Sequence, residues 1–426
     1  MIGFIGLSHL GLNYSLATAA KGFEVIAFDP DPALVARLQQ GVFPIEEPGF
    51  MELFARHRAR LRYTSNPAEL AACDLVFYAL DVRTNERNES DLAPLTALIE
   101  GTVVSLPHGA ITVVLSQVRP GYSRALAGRL AANPANPSGP FFYQVETLIF
   151  GAAVQRAMEP ERYMVGAADP SQPLPPSYRR WLDAFGCPVL VMRYESAELA
   201  KIAINFFLVS TVSTTNTLAE VCEAIGADWS EIAPALRLDK RIGPHAYLKP
   251  GLGIAGGNLE RDLVTIQGLA AEHGTEAGIV TAWQRNSVHA KAWALRTVRR
   301  EVLGPKPGAR LALWGIAYKQ DTHSIKNSAA VELMRALGES QIQAYDPAAQ
   351  IDLAPFPRIT RPASPLAALD GADALVIMTP WREFAGVPLQ QIRSRLAGST
   401  VIDPYGVLDP AGCAAAGLRH LRLGCA

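Results

Sequence analysis

A chain of 426 residues is too long for one ordinary hydrophobic core, so two or three domains are expected. Its 39 basic and 40 acidic residues nearly cancel, which removes any electrostatic case for nucleic acid or an anionic membrane as partner. The five cysteines (Cys73, Cys187, Cys222, Cys413, Cys425) are odd in number, scattered and without a CxxC pair, which argues for a reducing, cytoplasmic setting and against disulfides or a zinc site. The apolar N-terminus lacks a basic stretch and runs straight into a glycine motif, so no signal peptide is expected. No apolar run is expected to reach the roughly 20 residues of a membrane span.

In chain order, the apolar run 2–5 reads as a buried strand, followed by Gly6-Leu-Ser8-His-Leu-Gly11 and an Ala- and Leu-rich helix to about Lys21. A second strand over 25–28 ends at Asp29. A strand, a glycine turn at a helix N-terminus and a second strand make a βαβ unit whose backbone amides can hold a diphosphate. An acid about 20 residues further on bonds the ribose 2′-OH and repels a 2′-phosphate, so Asp29 points to NAD rather than NADP. Ser8 takes the place of the middle glycine of GxGxxG. Strands are expected at 75–79 and 111–115, whose carboxyl ends place Thr84, Ser116 and Gln117 near the cofactor. Residues 131–140 and 169–176 read as loops, and 163–166 and 188–191 as additional edge strands.

Ser196 is a candidate N-cap, with Glu198 in the first turn of a long helix running to about Ala224. Leu199, Ile202, Phe206 and Val209 form an apolar stripe, while Glu198, Lys201 and Asn205 share another face. Beyond it, four glycines crowd into 251–257, followed by Asn258, Arg261 and Asp262. Each glycine costs about 0.5–1 kcal/mol in a regular element, so a loop is expected there. Such a loop suits close approach of backbone to a ligand; it is equally compatible with a flexible surface turn. The final third repeats the strand–turn–helix theme. A strand over 310–314 precedes Gly315, Tyr318 and Lys319 occupy the turn, Ser328 caps a helix over 329–337, and strands follow at 342–345, 374–378 and 400–403. His9, His245 and His323 lack ligand spacing, so no metal site is expected.

With these motifs in hand, the chain resembles the UDP-glucose/GDP-mannose dehydrogenase family. The match rests on residues 6–11, Phe43-Pro-Ile-Glu-Glu-Pro-Gly49, Ala197-Glu-Leu-Ala-Lys201 with Asn205 and Asn216, Asp239-Lys-Arg-Ile-Gly243, the 253–262 segment, and Tyr318-Lys319-Gln-Asp-Thr322 with Lys326-Asn-Ser328. The resemblance implies an α/β fold of two Rossmann-like doubly wound domains joined by a long central helix and a small helical domain. The expected division is an NAD-binding domain over 1–193, a central helical and dimerisation domain over 194–300, and a nucleotide-sugar domain over 301–426. It implies NAD as cofactor, an NDP-sugar (UDP-sugar favoured) as substrate, and a homodimer. By the same resemblance Lys201 and Asn205 hold the reacting oxygen, and Asp262 and Glu146 place water or a base. Arg241 reaches a neighbouring subunit's substrate, and Lys326 sits where an arginine usually meets NAD. Lys319 meets the substrate, with Tyr247, Gly253 and Tyr318 alongside.

The departures carry the functional argument. The family's nucleophilic cysteine position is Asn258, its lysine before the aspartate is Arg261, a threonine is Gln117, a second acid is Phe150, and Asp403-Pro-Tyr405-Gly406 replaces a segment with an arginine. Tyr405 can stack on a ring but cannot pair with a diphosphate as arginine does. A four-electron oxidation of an alcohol to an acid needs the aldehyde carbon to become tetrahedral again, which a thiolate achieves by forming a thiohemiacetal. An amide only donates and accepts hydrogen bonds. A single two-electron oxidation is therefore expected. Three alternatives remain: full oxidation through a hydrate held by Asn258 and Glu146, a non-catalytic nucleotide-sugar binder, and a hydroxyacid dehydrogenase.

Overall fold

Four-residue runs of β-branched and aromatic residues, buried from end to end, set up two parallel sheets. The structure, a computed structural model, describes residues 1–137 and 139–425 and separates into two compact units, Met1–Ile204 and Asn205–Ala426. Ser138, inside the loop expected over 131–140, lies outside the described residues.

The first unit carries β1 (Ile2–Ile5), β2 (Val25–Phe28), β3 (Leu61–Thr64), β4 (Leu75–Tyr78), β5 (Ile111–Val114), β6 (Phe141–Gln144), β7 (Tyr163–Ala167) and β8 (Val189–Arg193) in the order 3-2-1-4-5-6-7-8. All neighbours are parallel except β6 and β7. Of the two expected edge strands only β8 is one; β7 lies between β6 and β8 and is internal. Its Tyr163 packs on Trp181, which also meets Phe77, and this aromatic cluster seals one face. The second unit repeats the pattern with β9 (Leu311–Trp314), β10 (Ile342–Tyr345), β11 (Ile359–Thr360), β12 (Ala374–Ile377), β13 (Thr400–Ile402) and β14 (Arg419–Leu421) in the order 11-10-9-12-13-14, all parallel. Relabelled from its first strand, that is again 3-2-1-4-5-6, the doubly wound order whose crevice opens where the winding reverses. The crevices lie at the carboxyl ends of β1 and β4, and of β9 and β12.

Six helices matter for the sites: α1 (His9–Ala20), α2 (Tyr122–Ala132), α3 (Tyr194–Ile225), α4 (Asn258–His273), α5 (Gly278–Lys291) and α6 (Ala329–Ala336). Ser328 caps α6 by accepting the Ala330 amide, as the sequence indicates. The long helix differs from expectation at its start. It begins at Tyr194, so Ser196 lies inside the first turn and caps nothing. Leu199 is exposed and leaves the apolar stripe, whereas Ile202 and Val209 are buried. By length and composition α3 also meets the criteria for a membrane span, contrary to the expectation that no segment would. It carries Lys201, Asn205 and Asn216 along its length.

Candidate active site

The glycine turn shows why each residue is there. Gly6 has φ +91°, a conformation that L side chains resist. A Cβ on Gly11 would lie 1.9 Å from the Gly6 carbonyl oxygen, so only glycine lets α1 pack this closely under the turn. Ser8, at φ −76°, has no such need. Its hydroxyl instead accepts the Asp81 amide at 2.8 Å and donates to Ala79 O at 3.2 Å, tying the turn to the end of β4. The Asp29 carboxylate, nearly buried, accepts the Leu7 amide at 2.8 Å and the Asp31 amide at 3.0 Å. That fixes an acid at the end of β2 with lone pairs to spare for a ribose diol. A cradle with no room for a Cβ, a helix N-terminus and a fixed acid all fit a dinucleotide.

Ser116 is fully buried and donates its hydroxyl to Leu80 O at 2.6 Å. Gln117 follows it, half-buried, and Thr84 forms an isolated bridge with Ser90 in the loop after β4.

Glu146 follows β6. Its Oε1 meets Lys201 Nζ at 2.9 Å, its Oε2 accepts the Leu148 amide at 2.9 Å, and Lys201 also donates to the Glu146 carbonyl at 2.9 Å. Both side chains keep 13–16 % of their surface, so the ion pair is held yet reachable. Beside it, Tyr14 is buried beneath the turn, and burial followed by the Glu146 charge pushes its phenol far above the usual range. Glu47 is a residue that the sequence presented only inside the 43–49 motif. Nearly buried, it accepts the amides of Gly151 and Ala153 and meets His9 Nε2 at 2.7 Å. The Phe150 ring packs against the His9 ring in a tilted arrangement, with centroids 4.3 Å apart.

Glu198 does not share a solvated face with Lys201 and Asn205. It is fully buried and accepts the amides of Gly121 at 2.7 Å and Ser123 at 2.8 Å, at the N-terminus of α2. An i, i+3 spacing on a helix could not reveal a partner 77 residues away in sequence.

In the second unit, Asn205 Nδ2 donates to Asp262 Oδ2 at 2.5 Å, and Arg261 Nε lies 3.3 Å from Asp262 Oδ1. Asp262 is 1 % exposed and Arg261 5 %. The glycine-rich segment is irregular only as far as Gly257; Asn258, Arg261 and Asp262 belong to the first turns of α4, where a loop had been expected to continue. Asn258 is exposed at the helix start. The close approaches that the glycines permit are to the chain itself. A Cβ on Gly251 would lie 3.2 Å from the Tyr405 ring, one on Gly253 2.6 Å from Ser287 O, and one on Gly256 2.7 Å from the Tyr318 ring. Asn216 Oδ1 accepts the Gly251 amide at 2.9 Å, the Gly256 amide donates to Lys326 O at 3.0 Å, and Asn327 Nδ2 donates to Gly256 O at 2.7 Å. The segment is thus a packed strap and not a free turn. Tyr405 is committed to packing against it, and burial pushes its phenol well up. Lys319 Nζ lies 5.9 Å from the Tyr318 ring centroid. Arg241 is 89 % exposed and pairs with Asp239 at 2.7 Å, and Tyr247 is also exposed. Among the described residues no group of three or more His, Cys, Asp or Glu could hold a metal ion.

Two doubly wound lobes, one with an NAD-type glycine turn and ribose acid, define a dinucleotide-dependent dehydrogenase. Three domain signatures of one family cover the chain: its NAD binding domain over residues 1–177, its central domain over 195–287 and its UDP binding domain over 312–410. UDP-glucose 6-dehydrogenase of Pseudomonas aeruginosa is 30 % identical across 99 % of this chain and 96 % of its own. A UDP-glucose dehydrogenase structure from Pyrobaculum islandicum matches with a TM-score of 0.86 at 26 % identity, covering 100 % of this chain and 98 % of that one. The UDP-D-ManNAc dehydrogenase of Pyrococcus horikoshii shares the fold, with a TM-score of 0.84 at 20 % identity over 100 % and 99 % of the two chains. The chain belongs to the UDP-glucose/GDP-mannose dehydrogenase family, NAD-dependent oxidoreductases acting on nucleotide sugars.

Proposed function

We propose that this enzyme oxidises the C6 hydroxyl of a UDP-sugar by two electrons and releases the aldehyde or its hydrate. The observation that carries this reading is Asn258, exposed at the first position of α4 and four residues before the buried Asp262. A carboxamide there can hold an oxygen but cannot attack a carbonyl carbon. The cysteines of the second unit offer no substitute. Cys222 is 3 % exposed. Burial pushes the Cys413 and Cys425 thiols up to about 11, so neither is a thiolate at neutral pH.

When bound, NAD⁺ supplies the acceptor for the hydride leaving C6. Lys201, paired with Glu146, polarises the sugar oxygen and stabilises the alkoxide character that builds there. Asn205 orients the Asp262 carboxylate, which takes the hydroxyl proton through a water. Lys319 and Lys326 supply positive charge, and Arg241 extends to a second subunit. The homodimer is assembled on the exposed apolar side of α3, where Phe207, Leu218, Val221 and Ile225 stand outward.

The decisive measurement is NADH formed per UDP-sugar consumed, with the product identified by mass spectrometry. One equivalent of NADH and an aldehyde or hydrate are expected, and Asn258→Cys should raise the yield towards two. Two equivalents and a uronic acid, formed at the first-step rate by the unaltered enzyme, would refute the reading. Light scattering tests the dimer, which Phe207→Asp should weaken.

A further inference from the structure

Glu47 takes no part in the steps above. Its side chain keeps only 1 % of its surface, and it joins two functional segments of the first unit. Oε1 meets His9 Nε2 at 2.7 Å, while Oε2 accepts the Gly151 amide at 3.0 Å and the Ala153 amide at 3.1 Å. A carboxylate only accepts, so the His9 nitrogen that faces it carries the proton. His9 is the first residue of α1 and belongs to the glycine turn, between Ser8 and Gly11. Gly151, at φ +86°, turns the chain into the short helix Ala153–Met158.

These contacts do more than cap that helix. The segment between β6 and the helix carries Glu146, which pairs with Lys201 at 2.9 Å and receives a second bond from Lys201 on its carbonyl oxygen. One end of the segment is fixed beside β6, where Val145 donates its amide to Met164 O at 3.0 Å. The other end is fixed by Glu47. Glu47 is itself held: its carbonyl accepts the Phe50 amide at 3.1 Å, and Phe50 is buried edge-on against Phe43. A side chain fixed in this way cannot follow one partner without pulling the other. His9 moves with the glycine turn, and Gly151 and Ala153 move with the segment that bears Glu146.

We propose that Glu47 is a positioning residue of the oxidation: it locks the Glu146-bearing segment to the glycine turn, so that the Glu146–Lys201 pair stands in a fixed place relative to the cofactor seat. The inference rests on the reading that Lys201 acts on the sugar oxygen, and not on the number of oxidations. Hydride transfer is sensitive to such placement, since a displacement of about 1 Å caused far from the reacting atoms costs about a hundredfold in rate.

The test is stopped-flow formation of NADH by the whole chain at saturating NAD⁺, with UDP-glucose and UDP-N-acetylmannosamine as probes. The proteins compared are the unaltered chain, Glu47→Asp, His9→Leu and the double variant. Asp keeps the buried charge but is one methylene too short to reach His9 and both amides together. Leu removes the ring nitrogens and keeps an apolar partner for Phe150. Each single variant should lower the saturated rate about 10- to 100-fold, with KM for either substrate moving by no more than about twofold. The double variant should be no slower than the slower single one, because both changes break the same link. Thermal melts separate a plain helix cap: Glu47→Asp would then melt at lower temperature yet keep the parental saturated rate. That result, a rise in KM at unchanged rate, or losses that multiply in the double variant, overturns the proposal. If the unaltered chain oxidises neither probe, the reading of Lys201 falls and takes this one with it. Parental oxidation that is indifferent to Glu47→Asp removes this one alone.

Discussion

Replacing Asn205 by aspartate changes one atom type in a close, buried polar contact of the second unit. Asn205 Nδ2 donates to Asp262 Oδ2 at 2.5 Å, with Asp262 1 % and Asn205 9 % exposed. Asn205→Asp sets a second carboxylate against the first, with neither open to water. Two unit charges about 3 Å apart at an effective dielectric of about 20 repel by roughly 5–6 kcal/mol. The pair relieves this by keeping one proton, as two carboxyls sharing a site do. Asn205→Asp should therefore melt near the unaltered protein at about pH 5 and lose stability steadily as pH rises towards 8. The sign is fixed by linkage: the folded variant binds a proton that the unfolded chain releases at ordinary carboxylate pH, so folding weakens with every unit of pH above that range. Thermal melts across this range measure the effect, with Asn205→Ser as a neutral control that deletes the amide without adding charge. A variant that melts like the parent at about pH 8 would show that Asn205 is not packed against Asp262, and the catalytic placement of both residues would fall with it.

Gly11→Ala places a methyl group 1.9 Å from Gly6 O, an overlap that only a shift of α1 relieves. Overpacking of this kind costs about 1–3 kcal/mol, and NAD⁺ affinity should collapse while UDP binding, which belongs to the other unit, stays unchanged by calorimetry. Parallel loss of both would count against the division of labour. Glu198→Gln tests the buried cap of α2. Burial, the largest influence, raises the Glu198 pKa, and its hydrogen bonds to Ser123 and Gly121 oppose. The folded state thus holds the Glu198 proton more tightly than the unfolded chain, and the stability this gives is lost as pH rises through the folded value. In paired melts the balance should move towards the glutamine variant as pH rises from about 4 to 8; a difference independent of pH would show that Glu198 is not desolvated.

The sheets were legible because most of their strands are short apolar runs, a pattern that needs no knowledge of partners. The strands that escaped notice are informative. Leu61–Thr64 alternates with an exposed Arg62, Phe141–Gln144 follows a proline- and asparagine-rich loop, and Arg419–Leu421 is an edge with two charged or polar residues among its three. Each owes its conformation to a neighbouring strand already in place, a tertiary fact that propensity does not contain. The site divided in the same way. Gly6, Gly11 and Asp29 were readable because their spacing is the mechanism. Glu47 and the partners of Glu198 were not, because each works on backbone amides that sequence does not mark, and only the folded turn shows which amides lack partners.

The same physics explains why two lobes of one topology do different jobs. Both carry an aspartate just past the second strand of the sheet, Asp29 after β2 and Asp346 after β10. Asp346 is 2 % exposed, and its two oxygens accept the amides of Ile316, Ala317, Ala348 and Ala349 and the Trp381 indole N–H. Five donors saturate a carboxylate with about four lone-pair sites. It has become a staple for its own turn and has nothing left for a ribose. Asp29 accepts two amides and keeps acceptor capacity facing the crevice end of its sheet. Gly315 matches Gly6 in φ, +96° against +91°, but a Cβ there would lie 2.4 Å from the Thr379 side chain, so this turn is closed by its own lobe. The dinucleotide is accordingly assigned to the first lobe by the number of hydrogen bonds its aspartate can still accept, a distinction that strand order and glycine spacing alone cannot draw.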